Sequence, residues 1–152
     1  MILLTHLKIS RMRKKKDAYG LLKYLAMHID KEDAVAGKAM MALAQIGKPA
    51  VEAICKTLPN VKHNFFRFSL LRVLYSICDP DSAGALISVV KNYSEKLLNP
   101  NLSSETKSSG ETSVYLMAVK TLKRLGINPS EWGISNKPYY DRVRSDFEKS
   151  DG

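Results

Sequence analysis

The chain has 152 residues, of which 45% are hydrophobic, so it is long and apolar enough for one domain with a hydrophobic core and is unlike a disordered chain. Its 24 Lys and Arg residues outnumber its 15 Asp and Glu residues and give a net charge of +9. The apolar start, MILLTHLKIS, is short and precedes its positive charges, unlike a secretory signal, and no uncharged apolar run approaches the roughly 20 residues of a membrane span. We therefore expect a cytoplasmic protein without a transmembrane segment.

Much of the positive charge lies at the start of the chain. Residues 1–16 hold six Lys and Arg side chains and no acid, so this segment offers a concentrated field to phosphates or acidic lipids. We predict that these residues form a basic N-terminal arm. Its candidate nucleic-acid-binding residues are Arg11, Arg13, Lys14, Lys15 and Lys16.

Three other interpretations of the basic arm stay open. It can be a solvated terminus, or it can bind an anionic membrane surface or an acidic protein. If the arm is helical, its apolar side chains can lie against the rest of the chain while its charges face solvent. These apolar side chains are Ile2, Leu3, Leu7 and Met12.

The next segment, DAYGLLKYLAMHI at residues 17–29, has the pattern of an amphipathic helix. Asp17 can cap this helix because its carboxylate accepts hydrogen bonds from the free N–H groups of a first turn. Four positions, Ala18, Leu21, Leu22 and Leu25, align at one constant offset with Ala50, Ala53, Ile54 and Thr57. We interpret the segment as the second helix of a repeated pair.

Three segments further along the chain share one apolar pattern. They are VAGKAMMALAQIG at 35–47, FRFSLLRVLYSIC at 66–78 and VYLMAVKTLKRLG at 114–126. Their apolar positions are 4, 4 and 3 residues apart, which places them on one helical face. The segments end in Gly47, Cys78 and Gly126, and a proline follows each end closely. Because Gly tolerates positive φ and Pro suits a first helical turn, the pattern predicts helix, tight turn and second helix.

The second helices repeat as well. Their apolar stripes are Ala50, Val51, Ile54 and Leu58, and Ala83, Leu86, Ile87 and Val90. A period of roughly 30 residues built from two amphipathic helices is typical of an α-solenoid. The third copy begins later in the sequence than this period predicts, and the additional residues form a polar tract. We predict a flexible insertion loop over 93–113, which is either a binding element or tolerated length.

The pattern V-R-x-x-A-x-x-x-L-x-x-I-G, followed by a Pro or Asp turn and a second helix, resembles the short HEAT-like repeats of the phycobilin-lyase type. The resemblance covers roughly 17–93 and 111–149. It implies an all-α fold, a right-handed α-solenoid of about three stacked helix pairs with terminal capping helices. In such repeats an arginine and an acidic partner link neighbouring units. Only Arg67 matches this arginine, since Ala36 and Tyr115 occupy the equivalent positions.

The C-terminal part departs from the repeat. We predict a capping helix over 138–149, PYYDRVRSDFEK, so that the HEAT-like domain covers 17–149. The apolar face of this helix consists of Tyr140, Val143 and Phe147. We expect Trp132 to seal the end of the core, and the alternative is an aromatic anchor on a binding surface.

Reactive groups are sparse in this sequence. The three histidines stand far apart, and Cys55 and Cys78 lie inside apolar periodic segments, where we expect buried, reduced thiols. Carboxylates such as Asp17, Asp79 and Asp81 occur at turns and helix starts, where capping explains them. We therefore predict no catalytic residues, no metal site and no cofactor.

Three functions remain as hypotheses. The first is a non-catalytic module or scaffold that docks a protein partner on its second helices. Its candidate contact residues are Glu52, Lys56, Ser88 and Lys91. The alternatives are a nucleic-acid-binding protein that uses the basic arm and nearby helix surface, and a lyase-like enzyme or enzyme subunit. The lyase hypothesis rests on fold-level analogy and requires a reactive thiol.

Overall fold

The computed structural model describes residues 2–31, 34–97 and 109–151, and all regular secondary structure in these ranges is helical. The eight α-helices of the described residues are α1 (Ile2–Lys14), α2 (Ala18–His28), α3 (Ala34–Ile46), α4 (Lys48–Thr57), α5 (Asn64–Ile77), α6 (Ala83–Leu97), α7 (Ser109–Arg124) and α8 (Lys137–Lys149). Short 3₁₀ turns occupy Leu58–Asn60, Pro80–Ser82 and Pro129–Glu131. The predicted all-α class is confirmed.

The helices pack as two sets. The odd-numbered helices contact one another in chain order, α1 with α3, α3 with α5 and α5 with α7. The even-numbered helices α2 and α4 contact each other, and α8 reaches α6 through Tyr139, whose hydroxyl donates to the Val90 carbonyl. The even helices α2, α4 and α6 each pack against the odd helix that follows. One hydrophobic core therefore lies between the two sets.

The predicted apolar stripes supply most of this core. The central positions of the three aligned segments are all fully buried: Ala39, Leu43, Leu70, Leu74, Ala118 and Leu122. The predicted stripes of α2 and α4 are buried too. In α6 the pattern is less regular, because Leu86, Val89 and Val90 are buried while Ala83 and Ile87 are only partly buried.

Positive φ angles recur at the turns between paired helices. Gly47, Cys78 and Gly126 have φ angles of 79°, 54° and 76°. Lys16 also has a positive φ angle, of 55°. The number of residues from Lys16 to Gly47 equals the number from Gly47 to Cys78. α1 therefore takes the same position before its turn as α3 takes before the turn at Gly47. The sequence did not reveal this equivalence, because residues 1–16 lack the apolar pattern of the other copies.

The segment predicted as a basic arm is a helix of the packed body. α1 contacts α2 and α3, with Ile9 buried and Met12 packed on the core. Of the apolar side chains that a helical arm could place against the body, Leu3 and Leu7 are instead 74% and 58% exposed. The contact with α3 uses the other side of α1, and the Ile2 side chain lies outside the described part.

Both ends of the predicted insertion loop, 93–113, are helical. α6 continues to Leu97 and α7 begins at Ser109. Tyr93 is buried and its ring stacks on Tyr115 with centroids 4.5 Å apart, which anchors the end of α6 in the core. The rest of the predicted loop, 98–108, lies outside the described residues.

The C-terminal helix packs on the body as predicted, but its buried tyrosine is Tyr139 rather than the predicted Tyr140. Tyr139 is buried and Tyr140 only partly, because burial follows positions 139, 143 and 147 at intervals of four residues. Trp132 is 1% exposed, and its ring meets Phe147 edge to face at 5.8 Å. The expectation that Trp132 seals the end of the core is confirmed.

Candidate functional site

A cleft of about 1040 Å³ opens between the end of α4 and the exposed side of α6. The 3₁₀ turn after α4 and the first turns of α5 and α7 complete its walls. Its lining combines apolar, small and cationic side chains, which is the mixture that a ligand or peptide site requires. The lining includes Cys55, Lys62, Arg67, Gly84, Ala85, Ser88, Lys91 and Glu111.

Small residues on α6 leave the floor of the cleft accessible. Gly84 and Ala85 lie four and three residues before Ser88, so all three border one side of the helix. A Cβ added at Gly84 would meet nothing within 4 Å, so there is open space above the helix at this point. A segment of another molecule can therefore approach the α6 backbone closely.

Arg67 brings an unsatisfied donor to the cleft. It lies in the first turn of α5, and its Nε is buried with no hydrogen-bond partner among the described residues. A buried donor without a partner costs about 1–3 kcal/mol, and more when the group is charged. Arg67 also borders the small cavity between α5, α6 and α7, so its side chain contributes positive charge to both the cleft and this cavity.

The charge around the cleft is mainly positive. Lys62, Arg67 and Lys91 line it together with one carboxylate, Glu111. The Lys91 ammonium would lie 3.3 Å from a Cβ on Gly133, so this side chain extends from α6 towards the turn before α8. Three cations against one acid favour a ligand that carries carboxylates.

The cleft also contains a thiol. Burial raises the pKa of Cys55, and the negative charges of Asp79 and Asp81 raise it further. Nucleophilic cysteines need the opposite, a lowered pKa that stabilises the thiolate. The environment of Cys55 thus disfavours the thiol chemistry that the lyase hypothesis requires. Cys55 and Cys78 are both free, and both are partly rather than fully buried.

The structure brings together two of the four predicted partner-binding residues. Ser88 and Lys91 line the cleft, while Glu52 and Lys56 are exposed on α4 outside its lining. Sequence reasoning did not assign Arg67 to the site. The available signal was its match to the repeat arginine, but no pattern in the sequence places that side chain beside α6.

The five predicted nucleic-acid-binding residues all lie at the end of α1 and in the turn after it. All five are exposed: Arg11, Arg13, Lys14, Lys15 and Lys16. The Arg13 guanidinium donates to the Gln45 side chain at 2.7 Å, which ties α1 to α3. The Lys38 ammonium lies 2.7 Å from Nδ1 of His6 and makes a second polar link between these helices.

The described ranges contain neither a cluster of metal ligands nor a membrane-spanning helix. No three His, Cys, Asp or Glu side chains there gather into a group able to hold a metal ion. No helix in those ranges combines the length and the apolar character that crossing a membrane requires. Comparison of the chain with models of protein families, with curated proteins and with solved structures gave no match.

Proposed function

We propose that the chain is a HEAT-like helical-repeat protein, a right-handed solenoid of stacked helix pairs, that acts as a non-catalytic interaction module. Its cleft binds an acidic segment of a protein partner. The observation that carries this proposal is the charge of the cleft lining, where Lys62, Arg67 and Lys91 stand with one carboxylate, Glu111. Carboxylates of an acidic partner segment balance this positive charge.

Two other features support the repeat assignment and the binding mode. Positive φ angles at residues 16, 47, 78 and 126, the first three equally spaced, agree with one turn used several times. Stacked helix pairs present an extended surface formed by one set of helices, and the cleft lies on the even-numbered set. The small residues of α6 let a bound segment lie close to the helix backbone.

Site-specific photocrosslinking tests the cleft in the full chain. A photoreactive p-benzoyl-phenylalanine replaces Gly84 in the cleft, and in a matched control it replaces Gly37 on α3. Both glycines are exposed, helical and open above the Cβ position, so neither replacement meets a neighbour there. In the native host, we expect a protein adduct at Gly84 that is absent at Gly37, and the crosslinked partner peptide to be rich in Asp and Glu.

Two further variants connect the adduct to the proposed chemistry. Arg67→Leu should reduce the Gly84 adduct at least about tenfold, because a charged hydrogen bond contributes about 1.5–3 kcal/mol. Ser88→Trp should block the cleft, while Ser76→Trp, at an exposed serine on α5 outside the cleft lining, should leave the adduct unchanged. Equal adducts at Gly84 and Gly37, or a partner peptide without acidic residues, would contradict the proposal.

A further inference from the structure

Positive charge is concentrated on the odd-numbered helices. α1, α3, α5 and α7 together carry ten Lys and Arg side chains and one carboxylate, Glu111. The even-numbered helices carry nine Lys and Arg side chains and five carboxylates. The odd-numbered set therefore has the larger charge excess and almost no acids of its own.

Ion pairing follows the same division. Among the described residues, the Lys–carboxylate and Arg–carboxylate pairs involve residues of the even-numbered helices: Lys48–Asp81, Lys137–Asp141, Arg142–Asp146 and Arg144–Glu148. None of the ten cations on the odd-numbered helices has a carboxylate within 4 Å among the residues that the structure describes. Arg13 and Lys38 instead contact the neutral Gln45 side chain and the His6 ring. Lys123 donates to the backbone carbonyls of Glu148 and Ser150, which are also uncharged. The positive charge of this set is therefore not neutralised by ion pairs within the described part of the chain.

Five of these cations define what we call the outward face: Arg13, Lys38, Arg72, Lys120 and Arg124. Arg13 and Lys38 line a groove of about 260 Å³ between α1 and α3, and Lys38 and Arg72 line one of about 500 Å³ between α3 and α5. On α7, the Lys120 ammonium and the Arg124 guanidinium lie 5.2 Å and 4.5 Å from the centre of the Tyr75 ring. The face thus runs across all four odd-numbered helices.

The outward face is separate from the cleft. Arg67 and Arg72 are five residues apart on α5, so a helix of 3.6 residues per turn directs them roughly 140° apart. Arg67 lines the cleft and Arg72 lines the groove towards α3. An interaction at the outward face therefore does not depend on the cleft proposal.

We infer that the outward face binds nucleic acid through its phosphate backbone. Packed helices lie about 8–10 Å apart, so the cations of the outward face are spaced across four neighbouring helices. A nucleic acid carries phosphates at regular intervals and can contact cations on several of these helices at once. An anionic membrane would also need apolar side chains to insert. Along the face the exposed large apolar side chains stand singly, Met41 at the grooves and Leu116 beside Lys120. Leu3, Leu4 and Leu7 lie together on α1 at one end of it, so the face itself offers single residues rather than a continuous apolar surface.

Fluorescence anisotropy with labelled duplex DNA, single-stranded DNA and single-stranded RNA tests the inference, using probes of about 20 nucleotides and salt between about 50 and 200 mM. The test variant combines Lys38→Gln, Arg72→Gln and Arg124→Gln. The matched control combines Lys23→Gln, Lys56→Gln and Lys137→Gln on even-numbered helices and removes the same charge. Circular dichroism confirms that both variants fold. Each duplex phosphate contact contributes about 0.9 to the slope of log K against log salt, so the test variant should flatten it by about 2.7.

The wild-type chain and the control should bind with steep salt dependence, and the test variant should bind at least about tenfold more weakly at the lowest salt. Equal weakening in both variants would overturn the inference, because only net charge would then matter. Absence of binding at about 50 mM salt would also overturn it. Vesicles of phosphatidylcholine with about one third phosphatidylserine form the remaining arm. If the chain bound vesicles but not nucleic acid, and the double substitution Leu3→Ser and Leu7→Ser abolished vesicle binding, the face would be assigned to a membrane surface instead.

Discussion

The turn at Gly47 gives a direct test of the backbone geometry between α3 and α4. Gly47 has φ 79° and ψ −127°, a combination that residues with a Cβ rarely adopt. A Cβ at this position would meet nothing within 4 Å, so Gly47→Ala causes no collision. Any loss of stability therefore reports the backbone conformation alone.

The expected loss follows from two opposing contributions. Holding a residue with a Cβ in such a region costs about 1–3 kcal/mol. Alanine also reduces the freedom of the unfolded chain, which offsets about 0.4–1 kcal/mol of that cost. We expect Gly47→Ala to lower the free energy of unfolding by about 1–2 kcal/mol. For a chain of this size that corresponds to a Tm lower by roughly 2–8 °C.

Gly37→Ala is the matched control on the same helix pair. Gly37 lies inside α3, is exposed and has open space above it, so alanine should raise stability by about 0.5–1 kcal/mol through helix propensity. Urea unfolding followed by circular dichroism measures both variants. If Gly47→Ala proved as stable as the wild-type chain while Gly37→Ala behaved as expected, the conformation of this turn would be different from the one described.

Three more predictions concern the core and its titratable groups. Leu122→Ala should lower the free energy of unfolding by about 3–5 kcal/mol in urea, because Leu122 is fully buried on α7 and its loss leaves a cavity. Burial, and then the hydrogen bond to Asp146, raise the pKa of Tyr115, so its contribution to stability is complete below the ordinary tyrosine pKa of about 10 and falls above it. Thermal unfolding of Tyr115→Phe should accordingly depend less on pH above about 10. Because burial raises the pKa of Cys55, this thiol should react with Ellman's reagent at about pH 8 more slowly than a free cysteine, measured in Cys78→Ser.

The helices that bury one face were predictable from their sequence. Leu43, Leu74 and Leu122 follow the helical period, so burial of the face that carries them is the favourable arrangement. α1 was not predictable in the same way, because it has leucines on one side and Ile9 and Met12 on the other. Packing against α3 selects the side with Ile9, and no local pattern in residues 1–16 encodes that choice.

The cleft was only partly predictable for a related reason. Ser88 and Lys91 were accessible to prediction because they are polar or small positions on a second helix. Lys62 and Arg67 come from the preceding turn and helix, and only tertiary packing brings them to the same space. Likewise, unequal charge between odd and even helices can be counted from the sequence only after the helix bounds are known.

The two proposals depend on different arginines of α5, so each can be tested without the other. Arg67→Leu removes the cation of the cleft and should reduce the Gly84 photocrosslink while the salt slope of nucleic-acid binding stays unchanged. Arg72→Gln removes one cation of the outward face and should lower that slope by about 0.9 while the crosslink stays unchanged. If each substitution altered both measurements, the two side chains would not act on separate surfaces. The roughly 140° between them on the helix makes that outcome inconsistent with this structure.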